Sequence, residues 1–294
     1  ALAQRLRRGR ADAVGIVLPV PPEQFGRPFL LDLVAGLGEA LSADGLDLHV
    51  AACPPGPEEL GHYRRLVDGR RVDALVVPRT RRHDERIEYL LDRGLPFVTH
   101  GRSQSARQHA YLDVDGERGF AEAAAHLIAL GHERIALING PREMNFSLHR
   151  EAGYRSALGR AGLPLHDDLV LVGDLDEAGG ARAIRHLLSL PEPPTAVMCA
   201  NDMTALGVMH GLREAGLRPG RDVSVTGYDD VPLARYSDPP LTTLRQPTRA
   251  AGRRLAEMLT ALLGGTAPDH LQEVWPAELV VRATTGPARK EVRA

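Results

Sequence analysis

Two cysteines, one tryptophan and an aromatic content of 4% are what this 294-residue chain has least of. Each scarcity excludes something. Cys53 and Cys199 lie far apart with no further cysteines beside them, which rules out a disulfide framework or a cysteine metal cluster and points to a reducing cytoplasm. With so few aromatics the core has to be aliphatic, built from Ala, Leu and Val. No stretch approaches the roughly 20 consecutive apolar residues of a membrane span. No apolar run of signal-peptide length precedes Ala13. A formal net charge of −2 excludes the chain as a whole as an electrostatic partner of nucleic acid. Arg5, Arg7, Arg8 and Arg10 form a local exception, a basic arm with no acidic residue. It reads either as a solvated tail or as a tether beside a phosphate backbone, and composition alone favours the tail. The chain begins at Ala1 and not at Met, consistent with a fragment.

Catalytic patterns are missing too. Gly36-x-Gly38 falls inside an amphipathic helical stretch, not between strand and helix, so it is no dinucleotide loop. There is no Walker A sequence and no G-x-S-x-G elbow. The 12 histidines are scattered, without HExxH or CxxC. Asp113-x-Asp115-Gly116 resembles the start of a calcium loop but lacks its later ligands; Asp115 fits better as a helix cap. Cys199, a lone thiol at a strand end, reads as a small core residue. The expectation is a non-enzyme with no cofactor and no metal.

What is present is an alternation of short aliphatic runs and amphipathic helices. Residues 13–19 read as a buried strand, and Phe29, Leu30, Leu33, Val34, Leu37 and Leu41 make one helical face. Strands are expected at 46–51, 74–77, 97–100 and 112–114, with helices at 57–67, 85–93 and 116–130. The scheme repeats, with strands at 135–138, 169–171, 196–199 and 223–226 and helices at 150–161, 177–188 and 202–215. An extended stretch at 241–247, a helix at 249–263 and a strand pair at 273–282 interrupted by Pro276 close the chain. Near-continuous apolar strands alternating with helices predict an α/β fold whose parallel sheets are covered on both faces. Gly45, Gly94, Gly131, Gly162 and Gly216 each stand where a helix should end and turn into the next strand. The leftover strands imply that the chain crosses back between two lobes. A cleft between such lobes is a common ligand site. The expected division is 1–11 as a linker, 12–114 plus 244–272 as the first lobe, and 115–243 plus 273–290 as the second.

Several segments, in order, resemble the LacI/GalR family of bacterial transcription regulators. They are Gly15-Ile16-Val17-Leu18-Pro19 with Pro28-Phe29, Arg71-Val72-Asp73-Ala74-Leu75-Val76-Val77, and the run from His126 through Leu127, Ile128, Ala129, Leu130, Gly131 and His132 to Ala136. Asn201-Asp202, Gly227-Tyr228-Asp229-Asp230 and Pro239-Pro240-Leu241-Thr242-Thr243 follow. Val114-Asp115-Gly116 departs by one residue from the family's V-D-N. The resemblance covers nearly the whole chain. It implies two Rossmann-like lobes of the periplasmic-binding-protein type I with three inter-lobe crossings. It also implies a helix-turn-helix headpiece preceding the core; residues 2–10 resemble the end of the hinge that joins them. Operator DNA would be bound through that headpiece.

The resemblance also implies effector contacts. Arg150, at the expected start of a helix, matches the family's effector arginine; a plain surface arginine is the alternative. Asn201 matches a second contact and is equally suited to cap the following helix. Asp229 matches the acidic contact, whose carboxylate accepts hydrogen bonds from sugar hydroxyls, while Asp230 is expected to be structural. In the first lobe Phe29 and Phe25 are suited to stack on a sugar face, with core packing the alternative for Phe29. Arg79 and Arg102 follow strand ends and can face the cleft. Arg79-Thr80 with Asp84, and the segment Met144-Asn145-Phe146, are similar to members that sense α-glucosides. Leu148 stands where many relatives carry Arg, which argues against an anionic effector, and Leu175 stands where some have an aromatic. The expected function is the effector-sensing and dimerisation core of a repressor of carbohydrate genes, a cytoplasmic homodimer that uses first-lobe surface around 69–73 and the 85–93 helix. The alternatives are a sugar-binding protein serving a transporter and an α/β enzyme.

Overall fold

The structure, a computed structural model, describes residues 11–20 and 28–289; the basic arm and Phe25 lie outside them. In chain order the elements are β1 (Ala13–Pro19), α1 (Pro28–Ala43), β2 (Asp47–Cys53), α2 (Glu59–Asp68), β3 (Ala74–Pro78), α3 (Glu85–Arg93), β4 (Phe97–His100) and β5 (Ala110–Val114). Then come α4 (Gly116–Ala129), β6 (Ile135–Asn139), α5 (Asn145–Arg160), β7 (Val170–Val172), α6 (Glu177–Leu188), β8 (Ala196–Cys199), α7 (Asp202–Glu214) and β9 (Ser224–Asp229). The last are α8 (Pro232–Tyr236), β10 (Thr242–Arg245), α9 (Thr248–Leu263), β11 (Gln272–Trp275) and β12 (Glu278–Val280).

The chain divides into two compact units, Ala1–Asp113 with Pro247–Trp275 and Val114–Gln246 with Pro276–Ala294. The first sheet runs β11-β5-β4-β3-β1-β2 and the second β12-β10-β9-β8-β6-β7. The two orders correspond strand for strand, so one winding is used twice. The pairs among β1 to β5 and among β6 to β10 are parallel, while β12 runs antiparallel to β10. Every residue of β1, β3 and β6 is buried, as strands covered on both faces must be.

Local chemistry starts and stops the helices. Asp84, Asp115, Asp176 and Asn201 each accept a backbone N–H in the first turn of α3, α4, α6 and α7. Gly45, Gly94, Gly131, Gly162 and Gly216 all have positive φ, from 61° to 88°, so the expected glycine stops are left-handed. Other glycines serve packing. A Cβ on Gly207 of α7 would overlap the carbonyl of Glu177 in α6, and one on Gly36 of α1 would overlap that of Arg249 in α9. Gly36, rejected above as a nucleotide loop, lets two helix backbones touch.

Three boundaries differ from the sequence reading. Helix α5 begins at Asn145, not at Arg150, and its N-cap Met144 makes no side-chain cap hydrogen bond; without a capping residue the true start carries no local signal. The chain passes from the second unit to the first after Gln246, not after Thr243, because all of β10 pairs with β9. The expected strand pair at 273–282 is two strands in different sheets. Pro276, which has no N–H to give a ladder, falls between them.

In the second unit a buried histidine ties distant segments together. The His132 ring lies with Nδ1 2.8 Å from Thr195 Oγ1 and Nε2 2.9 Å from Ser224 Oγ and 3.0 Å from the Gly286 carbonyl. Burial pushes the pKa of His132 below its usual value, and does the same to His109, His100 and His126. For a base depressed on folding, the unfolded chain binds more protons, so stability is lost as the pH falls through about 6.5. Melting temperature should therefore drop between pH 7.5 and pH 5.5, and His132→Gln should flatten that slope even if it lowers stability at every pH. An unaltered slope in the variant would refute the assignment to His132.

Candidate functional site

Open α/β sheets bind ligands outside the carboxyl ends of their strands, where the strand order reverses. In the first sheet that place lies between β1 and β3. Arg79, just past β3, has left-handed backbone with φ 54°, and its Nη1 donates to the Pro19 carbonyl at the end of β1 at 3.1 Å. The hydroxyl of the next residue, Thr80, donates to the carbonyl of Arg102 at 2.6 Å. Arg102 pairs with Asp113 of β5, Nε to Oδ2 2.6 Å. The Phe29 ring sits 6.0 Å from that of His100, centroid to centroid. Phe29, Arg79 and Arg102 thus gather at one edge of one sheet. Sequence reading missed Asp113, which it considered only as a remnant calcium ligand. The alternation of β5, with Tyr111 and Asp113 on the less buried face, marks the side of the strand on which Asp113 lies but not its partner.

In the second sheet the reversal lies between β6 and β8. Asn139, at the end of β6, donates to the Ser147 carbonyl at 2.8 Å and accepts from the Gly140 N–H at 2.9 Å, which ties the loop to α5. Asn145 and Phe146 open that helix, and Arg150 follows a turn later. Arg150 is 9% exposed. Its Nη1 donates to the Ala200 carbonyl at 2.6 Å, and its Cζ lies 3.9 Å from the ring centroid of Tyr228, 4.6 Å from Phe146 and 5.7 Å from Phe120. Its Nε is shielded and has no hydrogen-bond partner. This is a cationic group in an aromatic cage, not the exposed helix-start arginine that was the alternative.

Asn201, beside Ala200, does cap α7: its Oδ1 accepts from the Thr204 N–H at 2.9 Å, and its Nδ2 donates to the Leu175 carbonyl at 3.0 Å. Asp229 ends β9 with φ 117° and accepts from Gln246 Nε2 at 2.5 Å. Asp230 is structural, held by Arg245 at 2.7 Å and Arg282 at 2.5 Å. Asp202 is buried, accepting from the Thr243 hydroxyl at 2.5 Å and the Val231 N–H at 2.8 Å. Burial first, and then the charge of Asp229, pushes its carboxyl well above the usual range. The second unit therefore brings Asn145, Phe146, Arg150, Asn201 and Asp229 to adjoining strand ends. Gln246 and the Tyr228 ring join them, neither of which the sequence singled out as a contact.

Of the six described non-glycine residues with positive φ, four follow or end these strands: Arg79, Leu175, Asp229 and Asp230. Such backbone persists only where its surroundings over-determine it, and it clusters at ligand sites. The site offers fixed donors, acceptors and ring faces. Burial pushes both thiols, Cys53 and Cys199, upward, away from the reactive thiolate form. Among the described residues there is no group of three metal-ligating side chains and no helix long and apolar enough to cross a membrane.

Two sheets of identical winding, each with polar side chains collected at its strand ends, define a periplasmic-binding-protein-like class. Residues 124–285 match the family described as a periplasmic binding protein-like domain. The chain is 42% identical over 293 residues to the HTH-type transcriptional regulator AglR of Rhizobium meliloti (strain 1021), across 97% of this chain and 81% of that protein. It is 35% identical to the HTH-type transcriptional regulator CelR of Thermobifida fusca, across 95% and 83%. Among solved structures, a complex of the regulator CelR with cellobiose superposes with a TM-score of 0.87 at 33% identity, over 96% of this chain and 89% of that one. A regulatory protein of the LacI family from Chloroflexus aggregans gives 0.84 at 31%, over 94% and 99%. The chain belongs to the LacI family of transcriptional regulators and carries that family's effector-sensing core. The relatives are named as transcriptional regulators, which sets aside the reading as a transporter's sugar-binding protein.

Proposed function

We propose that this chain senses a neutral sugar or glycoside for a repressor of carbohydrate-utilisation genes, and that Arg150, Asn201, Asp229, Arg102, Arg79, Phe29, Asn145 and Phe146 contact the effector. The observation that carries the reading is the caged guanidinium of Arg150 beside Asn201 and Asp229 at adjoining strand ends. Fixed donors and a carboxylate acceptor suit vicinal hydroxyls, and aromatic faces suit the C–H face of a sugar ring. Each arginine of the first unit's cluster already has an oxygen partner, Pro19 O or Asp113, which disfavours an anionic ligand. The relative CelR has been solved with cellobiose.

Signalling is by population shift. The effector binds one conformation of the chain more tightly than another and moves the equilibrium by that differential affinity. In a cytoplasmic homodimer the shift changes the spacing of the DNA-reading segments and so the affinity for operator DNA. The dimer contact is proposed on first-unit surface around residues 69–73 and α3, whose outer side chains are mostly charged.

The test is a thermal-shift screen with neutral mono- and disaccharides, cellobiose among them, and glucose 6-phosphate for contrast. A ligand at 100 times its Kd adds about 2.7 kcal/mol, or roughly 5–10 °C for units of this size. A neutral sugar should give that shift. No hit, a response to the phosphorylated sugar alone, or chemical turnover of the ligand would refute the reading.

A further inference from the structure

The first unit buries a cluster of charges that lies outside the effector contacts proposed above. Arg86 and Glu59 are fully buried and Asp84 nearly so. All five N–H donors of Arg86 are used. Nε donates to Asp84 Oδ1 at 2.8 Å. Nη1 donates to Glu59 Oε1 at 2.5 Å and the Pro78 carbonyl at 3.2 Å. Nη2 donates to Asp84 Oδ2 at 2.6 Å and the Arg79 carbonyl at 3.0 Å. The other oxygen of Glu59 takes the guanidinium of Arg81, and Asp84 also accepts the backbone N–H of Arg81 at 3.0 Å. Burial opposes the charge on Arg86, but its neighbours Tyr63, Asp84 and Glu59 outweigh it and hold the pKa above its usual range. Burial likewise opposes the charge on Asp84, and Arg86 outweighs it, lowering that pKa.

Stability alone does not account for such a cluster, since a buried ion pair rarely outperforms apolar residues of the same volume. Its geometry does. Two of the five donors end on the carbonyls of Pro78 and Arg79, the last residue of β3 and the first beyond it. Arg79 is held there in left-handed backbone, which a non-glycine residue keeps only under constraint. Thr80 comes next, is 3% exposed and bonds the carbonyl of Arg102. A Cβ on Gly101 would lie 2.8 Å from the Thr80 hydroxyl, so these two segments meet without slack. From Arg86, direct bonds and one intervening residue lead to both effector arginines proposed for the first unit.

We infer that Arg86 is a positioning residue for effector recognition: with Glu59 and Asp84 it locks residues 78–84, so that Arg79 and Arg102 meet the ligand in a single geometry. The inference rests on the sugar-sensing reading above. Lysine cannot replace Arg86, because three donors on one nitrogen do not span two carboxylates and two carbonyls.

The test uses Arg86→Lys and the triple variant E59L/D84N/R86M, which removes the cluster together while Asn keeps the α3 cap. Amide hydrogen exchange is measured at residues 79–84 and 101–103 in the ligand-free chain. Affinity is then measured by calorimetry for the neutral sugar that most stabilises the unaltered chain in the screen. Both variants should melt cooperatively. Exchange at those amides should speed up at least tenfold while β6 to β9 stay unchanged, and Kd should rise at least tenfold. A role confined to stability would lower the melting temperature and leave Kd alone. Faster exchange with unchanged Kd overturns the inference, as does unchanged exchange. Should the triple variant fail to fold, Arg86→Lys decides alone. No sugar binding by the unaltered chain would instead overturn the sensor reading, and this inference with it.

Discussion

Arg150→Ala should abolish the sugar-induced rise in melting temperature and weaken binding by at least a hundredfold, about 2.7 kcal/mol. The side chain joins Phe146 of α5, the Ala200 carbonyl beside Asn201, and Tyr228 beside Asp229. Losing it removes the charged donor and the reference that sets three other contacts. The ligand-free chain should also lose some stability. The Ala200 carbonyl would be left unsatisfied at about 1–3 kcal/mol, and each buried cation–ring contact contributes about 0.5–2 kcal/mol. Arg150→Lys separates charge from shape: it keeps the cation, loses the planar fork, and should fall between. Asp229→Ala should also abolish the shift, through loss of the acceptor. A variant without Arg150 that still melts higher with sugar would show that the guanidinium only packs.

Gly207→Ala should destabilise the second unit by at least about 3 kcal/mol, at the upper end of the cost of overpacking, and Gly207→Val should prevent its folding. The added Cβ would overlap the Glu177 carbonyl and, at Gly180, a Cβ would overlap the Thr204 carbonyl in return. Helices α6 and α7 touch backbone to backbone at both points, so neither can yield without parting from the other. Gly159→Ala, in α5, is the matched control. Nothing lies within 4 Å of its Cβ position, and alanine there should add up to about 1 kcal/mol through helix propensity and a less flexible unfolded chain. Urea melts of the two alanine variants should therefore move in opposite directions. A Gly207→Ala midpoint within error of the unaltered chain would contradict the packing described here.

The same glycines show where sequence is readable. Gly94 and Gly216 announce helix ends because an apolar face stops just before them, and the left-handed residue is a local requirement. Gly159 and Gly207 look alike in sequence, both inside helices, and differ only in what another segment places opposite. The site divides in the same way. Asn201 and Asp229 were legible because they end aliphatic runs, and a strand end in a parallel sheet is a place for a ligand whatever surrounds it. Asp113 as partner of Arg102, Gln246 as partner of Asp229, and the burial of Arg86 were not legible. Each depends on a residue from another element: β4 and β5 for the first, the crossing after β10 for the second, and α2 with the end of β3 for the third. The start of α5 was missed for a local reason, since Met144 offers the helix no side-chain cap.

By itself the sequence determined the alternation of strands and helices, the parallel sheets, the glycine stops, the absence of catalytic patterns and the strand-end positions of the polar residues. These follow from periodicity, backbone freedom and composition, which act over a few neighbouring residues. Only the tertiary structure decided that both sheets share one winding, that the final strand pair belongs to two sheets, that Arg150 sits among three rings, and that a fully bonded Arg86 holds the backbone of Arg79. Those outcomes depend on which segments meet across tens of residues of intervening chain, and close packing with hydrogen-bond satisfaction selects among meetings that local sequence leaves equally open.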